Sequence, residues 1–251
     1  MISKNKIKYI HSLELKKKRK EENAFVAEGP KLIDELIGHF ECLYIASTAE
    51  WAEENRELTE TYPIDIVTEE ELRKISFLDT PQKVLAVFRQ HEHSFTPAII
   101  EKNLCIAIDG VQNPGNLGTI IRLADWFGIE HIFCSKSSAD IYNPKTVQAT
   151  MGGMARVCIH YCDLPELIRS LPSDTPVYGT FLDGDNIYSE QLEQRGLIVM
   201  GNEGRGVSAE VAELVTNRLY IPNYPAGRQT SESLNVAIAT AIICAEFRRR
   251  G

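Results

Sequence analysis

The sequence contains no apolar run approaching the ~20 residues that a helix needs to cross a bilayer, so no transmembrane helix is expected. Its first residues, MISKNKIKYIHSLELKKKRK, lack the apolar core and small-residue cleavage site of a secretory signal, which points to the cytoplasm. Cysteine is sparse. Cys42, Cys105, Cys134, Cys158, Cys162 and Cys244 are scattered, most of them in apolar strand-like segments, a usage of reduced buried thiols and not of a disulfide framework. Strand alternation puts Cys158, His160 and Cys162 on one face, yet no second ligand cluster follows, so core packing is expected there and no metal. Internal repeats and low-complexity segments are absent. None of the glycine-rich stretches fits G-x-G-x-x-G or the phosphate-cradling loop with its Gly-Lys-Ser/Thr, which excludes ordinary dinucleotide and P-loop binding.

Net positive charge is also missing: the formal total is -8, which as an average argues against nucleic acid. The distribution argues otherwise. Lys4, Lys6, Lys8, Lys16, Lys17, Lys18, Arg19 and Lys20 crowd the first segment, and Arg248, Arg249 and Arg250 the last. Phosphate contacts need a local positive patch, not a positive total. A solvated helix face and a frayed tail are the alternative.

What is present is an ordinary globular composition, 43% hydrophobic and 25% charged over 251 residues, enough for one large core or two modest ones. The polar stretch RQHEHSFTPAIIEKN, residues 89–103, breaks the apolar periodicity and reads as a linker. Before it lies a small α/β unit: a basic helix over about Ile7–Lys20, a strand near Ala24–Glu28, a helix opened by Gly29-Pro30, strands in CLYIAS and IDIVT, a short helix in EEELRKIS, and a closing strand in KVLAVF. After it, LCIAID, HIFCS, RVCIHY, PVYGTF, GLIVMG and RLYIP are continuous apolar strands. Helical segments lie around Thr119–Phe127, Pro144–Thr150, Leu164–Leu171 and Ala209–Val215. That alternation predicts an α/β fold with a parallel sheet covered on both faces. SLNVAIATAIICAEFRRR closes the chain as a long helix begun by a Ser.

Ligands of open parallel sheets bind beyond the carboxyl ends of the strands. Three stretches leave strand ends there with more glycine and polar residues than a connection needs: Asp109 through Asn116 to Arg122, Gly201-Asn-Glu-Gly-Arg-Gly206, and Ile221-Pro222 continuing to Ser233-Leu-Asn235. In order and register, NPGNLGTIIRLADWFG, LIVMGNEGRGVS and the IP…SLNVAIATAI pair resemble the three signature motifs of the SpoU (TrmH) family of RNA 2'-O-ribose methyltransferases, within the SPOUT superfamily. The resemblance covers about Leu104–Gly251, and FVAEGPKLIDELI looks like the ribosomal-protein-like RNA-binding domain that many members carry. One departure is the loop NYPAGRQTSE, longer than in typical members.

The resemblance implies an RNA-binding domain over residues 1–95 and a methyltransferase domain over 104–251 with a deep trefoil knot, acting as a homodimer. It implies S-adenosylmethionine as cofactor, held by Gly201, Ile221 and Leu234, with Thr180 and Gly179 as further candidates from the same crevice. The implied substrate is RNA, ribosomal (23S) before transfer RNA. The implied catalytic set is Arg122, Asn116, Glu203, Ser233 and Asn235.

Arginine is always protonated in proteins, so Arg122 fits gripping the RNA phosphate and ribose, with a phosphate oxygen taking the proton, better than it fits a free base. The plain alternative is an ion pair with Asp125, one turn away. Asn116 sits where a helix N-cap would, and Glu203 where a solvent-exposed turn acid would. For Ser233 and Asn235, capping of the last helix stands beside contact with substrate or cofactor. A non-catalytic RNA-binding protein would leave three crevice motifs unexplained. A small-molecule enzyme of doubly wound fold would leave the basic terminus unexplained.

Overall fold

The computed structural model describes residues 2–225, 228 and 233–249. Arg250 and most of the loop after Tyr224 therefore lie outside the described residues. The chain forms two compact units, one of Met1–Glu92 with Asp140–Ala155, the other of His93–Ala139 with Arg156–Gly251.

In the first unit the basic segment is two helices, not one: α1 (Lys4–Ser12) and α2 (Lys16–Glu22). The break has a physical cause. Ile10 and Leu13 are fully buried, and Arg19 turns its guanidinium back to cover the carbonyls left at the break, donating to Leu13 O at 2.8 Å and Glu14 O at 2.6 Å. Its other nitrogen reaches Asp140 Oδ2 at 2.5 Å, so Arg19 is a buried tie and not part of a phosphate-facing run. Lys16, Lys17 and Lys20 do remain exposed.

β1 (Ala24–Glu28) is buried throughout, and Gly29 at φ 95° turns the chain into α3 (Pro30–Leu36), with Pro30 at the helix start. Then follow β2 (Cys42–Ser47), α4 (Ala49–Glu54), α5 (Arg56–Thr61), β3 (Ile64–Ile66), α6 (Glu69–Arg73) and β4 (Val84–Arg89). The helices α4 and α5 are not foreshadowed by apolar periodicity. The sheet runs β1-β4-β2-β3, parallel only between β2 and β3.

The second unit begins with α7 (Ala98–Lys102), inside the stretch read as linker, and continues with β5 (Leu104–Ile108), α8 (Pro114–Trp126) and β6 (His131–Ser135). The next helix, α9 (Pro144–Thr150), belongs to the first unit, where it packs on β1. The second unit resumes with β7 (Cys158–Cys162), α10 (Leu164–Arg169), β8 (Val177–Asn186), β9 (Gly196–Met200), α11 (Ala209–Ala212), β10 (Asn217–Tyr220) and α12 (Val236–Arg249). Its six strands are all parallel, in the order β10-β8-β9-β5-β6-β7. Every residue of β5 and β9 is buried, as expected of central strands covered on both faces.

His160 is buried on β7, stacked on Phe133 at 5.0 Å and on His131 at 5.4 Å, with Phe95 against it. Burial holds its imidazole down at about 4, hence neutral at physiological pH. The C-terminal arginines are engaged too. Arg248 donates to Phe127 O, Gly128 O and Gln194 Oε1 at 2.7–2.9 Å, closing the end of α8, and Arg249 pairs with Glu246 at 2.8 Å.

Candidate active site

In chain order the strands build outward from β5 to β7 and then restart on its other side with β8 and β9, so β5 and β9 flank the point where the order reverses. Both strands end in a glycine turn. After β5, Asp109 N extends the ladder to Met200 O at 2.9 Å, and Gly110, at φ 75°, bends the chain while its N–H donates to Ser135 Oγ at 2.9 Å. Asn113, not Asn116, caps α8: its side-chain oxygen accepts from Asn116 N at 3.1 Å and Pro114 takes the first position. Asn116 thus stands within the first turn, with its carboxamide released from capping.

After β9 the turn closes on itself by paired backbone bonds of 2.9 Å between Asn202 and Gly206. A Cβ on Gly201 would lie 2.3 Å from the backbone of Gly206 and Val207, so no larger residue fits there. The Asn202 carboxamide does two tasks. Its oxygen accepts from Gly204 N at 3.0 Å and Arg205 N at 3.1 Å, and its nitrogen donates to Gly110 O at 2.7 Å, tying this turn to the one after β5. Asp109 adds a second tie by accepting from Ser208 N at 2.7 Å.

The third stretch enters at the start of α12. Here Asn235, not Ser233, is the cap, accepting from Ala237 N at 3.0 Å and Ile238 N at 3.3 Å. The Asn235 amide then donates to Asn116 Oδ1 at 3.1 Å, and Asn116 donates to Glu203 Oε1 at 2.8 Å. One carboxylate and two carboxamides, 119 positions apart at their extremes, form a single relay across the three stretches. Capping and contact with the relay are both true of Asn235.

Beside the relay lies a cavity of about 540 Å³. Thr180, Gly201, Ile221, Ser233, Leu234 and Glu203 line it, over apolar walls that include Met200, Leu219 and Val236. Gly179 does not line it; the missing Cβ there leaves room for Phe181 and Val215, which would otherwise lie 2.6 and 2.8 Å away. Arg122 is exposed on α8, and no hydrogen bond or ion pair joins it to another described residue. Six residues of helix rotate it ~120° from Asn116, so the relay and Arg122 leave α8 on different faces. Asp125, its partner in the plain alternative, is instead taken by Arg156.

Asp109, Asn113 and Asn202 lie in the stretches that the sequence singles out, but no role is expected of them there. Asn113 had a local signal, an Asn directly before a Pro that starts a helix. The other two act through bonds to backbone about 90 positions or more away, for which no local pattern exists.

The architecture agrees with what this chain is similar to. Residues 103–245 match the model of the SpoU rRNA methylase family, and residues 4–86 that of the MRM3-like substrate binding domain. The 23S rRNA (guanosine(2553)-2'-O)-methyltransferase RlmP of Bacillus subtilis is 32% identical, over 97% of this chain and 96% of its own length. Among solved structures, a protein described as a TrmH-family RNA methyltransferase from Porphyromonas gingivalis is 41% identical, with a TM-score of 0.87 and both chains wholly covered. An AdoMet-bound rRNA methyltransferase from Sinorhizobium meliloti is 30% identical, with a TM-score of 0.86 over 100% of this chain and 96% of that one. Over more than half its length, and with three stretches joined in one relay beside one cavity, the chain belongs to the SpoU rRNA methylase family, as an S-adenosylmethionine-dependent RNA methyltransferase.

Proposed function

We propose that the chain transfers a methyl group to the 2'-hydroxyl of a ribose in ribosomal RNA, of the 23S type on which the Bacillus subtilis relative acts. The observation that carries this reading is the Asn235–Asn116–Glu203 relay, whose Glu203 lines the cavity. A carboxylate held by a carboxamide is fixed in orientation and keeps lone pairs for a hydroxyl, which is what aligning a weak nucleophile requires.

The cavity fits S-adenosylmethionine. Its volume lies within the ~300–1,000 Å³ of small-molecule sites, and it offers apolar walls beside backbone groups of glycine turns. Gly201, Ile221 and Leu234 would hold the cofactor, with Thr180 at the side. The bound cofactor supplies an electrophilic sulfonium methyl. Glu203 orients the ribose hydroxyl, and Arg122, always cationic, grips an RNA phosphate whose oxygen accepts the departing proton. Ser233, at the rim, faces the same ligand.

The same reading includes a deep trefoil knot in the methyltransferase domain, supported by the bond of Asn235 to Asn116 on α8 and the packing of α12 on α8. It includes a homodimer, supported by Trp126 (82% exposed) and Ile238 (55%) on those two helices, large apolar side chains that a second copy would cover. Trp126 is one turn beyond Arg122, so a partner there places Arg122 at the interface. No helix among the described residues is long and apolar enough to cross a membrane, and a cytoplasmic location is part of the same reading. In this reading residues 1–95 present the RNA and 104–251, apart from the segment 140–155 that belongs to the first unit, perform the chemistry. Mapping 2'-O-methyl sites in ribosomal RNA from a deletion strain tests the reading: one site should vanish, and an unchanged map refutes it.

A further inference from the structure

Among the described residues two charged side chains line the cavity, Glu203 and Arg205. Glu203 is held by Asn116. The Arg205 guanidinium has no hydrogen bond or ion pair with any described residue, although acids outnumber bases 35 to 27 in the chain. Other arginines of the same unit are engaged: Arg156 with Asp125, Arg169 with Glu210, Arg195 with Glu193, Arg218 with Asp183. Arg205, like Arg122, is left without a carboxylate among the described residues, and of the two only Arg205 lines the cavity.

Its backbone is held from three sides. Asn202 Oδ1 accepts from Arg205 N, the turn is closed by the paired Asn202–Gly206 bonds, and Asn202 anchors the whole to Gly110. The root of the side chain is therefore fixed while its end is free, an arrangement that lowers the ordering cost of binding a ligand. The end is exposed, and it belongs to the turn that carries Glu203. A planar guanidinium fork matches a phosphate in two parallel hydrogen bonds, and every ribose in RNA carries phosphates on either side.

We infer that Arg205 binds a backbone phosphate adjoining the target ribose and so registers the RNA strand on Glu203. This rests on the reading of the cavity as the methyl-transfer site. Arg205 is a second phosphate contact besides Arg122, supplied by the turn after β9 instead of by α8. The cofactor's own carboxylate is the competing anion. The exposure of Arg205 favours the larger ligand arriving from solvent.

The test compares the full-length chain with its Arg205→Gln and Arg205→Lys variants, using S-adenosylmethionine and an unmethylated 23S rRNA transcript. Losing a charge-assisted contact should raise KM for the transcript about ten- to a hundredfold. The log–log salt slope of transcript binding should flatten by about 0.7, one phosphate contact. Calorimetric affinity for S-adenosylmethionine should stay unchanged, and Arg205→Lys should recover part of the loss. Weaker cofactor binding by Arg205→Gln assigns the guanidinium to the cofactor and overturns the inference, as does an unaltered KM and slope. If the unsubstituted chain itself binds cofactor but methylates no transcript, the functional reading falls; if it methylates and Arg205→Gln equals it, only the role of Arg205 falls.

Discussion

Arg156 holds both oxygens of Asp125, through Nε at 2.8 Å and Nη2 at 2.9 Å. Asp125 stands one turn from Arg122 on α8, so this bidentate pair leaves Arg122 without the carboxylate nearest to it. Arg122→Ala should therefore cost nothing in the folded protein and lower methyl transfer on the order of a hundredfold or more, the scale for losing one preorganised charge-stabilising group. Affinity for S-adenosylmethionine should hold, because Arg122 does not line the cavity. Single-turnover transfer and cofactor titration on the same preparation check both halves. Near-normal transfer would remove Arg122 from the reaction.

Asn235 separates capping from chemistry. Asn235→Asp keeps the oxygen that accepts from Ala237 N and Ile238 N, and a carboxylate at a helix start is favourable. It loses the N–H that donates to Asn116, facing that oxygen with another. The expected result is an unfolding midpoint close to the original, with transfer reduced tenfold or more by about 1.4 kcal/mol of lost alignment. Equal activity would confine Asn235 to its cap.

In the basic N-terminal segment Lys16, Lys17 and Lys20 are exposed while Arg19 is buried. Replacing exposed Lys16, Lys17 and Lys20 by Gln should flatten the salt slope of RNA binding by about 2, at ~0.7 per contact, and leave stability alone. Arg19→Gln should do the reverse. It strips the partner from Asp140 and the donors from two carbonyls, and breaking such a buried pair costs about 3–5 kcal/mol. Urea unfolding and salt-dependent binding, run on both variants, distinguish the two. A slope unmoved by the lysine changes would make that run a solvated face only.

His160 sets an acid limit. Its folded value, near 4, is below the ordinary 6.5 because burial disfavours the imidazolium. The unfolded chain therefore takes up this proton first, and stability present above pH ~6.5 is lost as the pH falls towards 4. Each pH unit of that shift corresponds to about 1.4 kcal/mol, so the loss approaches 3 kcal/mol. His160→Phe, stacked like the original on Phe133 and Phe95, should flatten the pH dependence of the urea midpoint between 6.5 and 4 relative to the unsubstituted chain. Parallel curves would assign the acid loss to other groups.

The parallel sheet and the three crevice stretches were legible because both are local patterns: apolar runs such as GLIVMG, and glycines such as Gly201 that only a crowded turn requires. The chain's crossing of units was not legible. Asp140–Ala155 lies in sequence between two strands of the second unit, yet α9 packs on β1 in the first, a partnership made by Arg19–Asp140 and buried Val147 rather than by any repeat of residues. Removing residues 1–95 would strip that face of α9, so the split of the chain into two consecutive halves is physically incomplete. Capping was misplaced by a few residues at both site helices, because Asn113 competes with Asn116 and Asn235 with Ser233, and only the backbone decides which side chain reaches the free N–H groups.

The most direct test of the account is to incubate the purified full-length chain with methyl-labelled S-adenosylmethionine and unmethylated 23S rRNA transcript, digest the RNA to nucleosides, and identify the labelled product by mass spectrometry. Label is expected on the ribose 2'-oxygen at a single position, lost with Arg122→Ala and retained in part by Arg205→Lys. Label on a base, or binding of both ligands with no transfer, would contradict it.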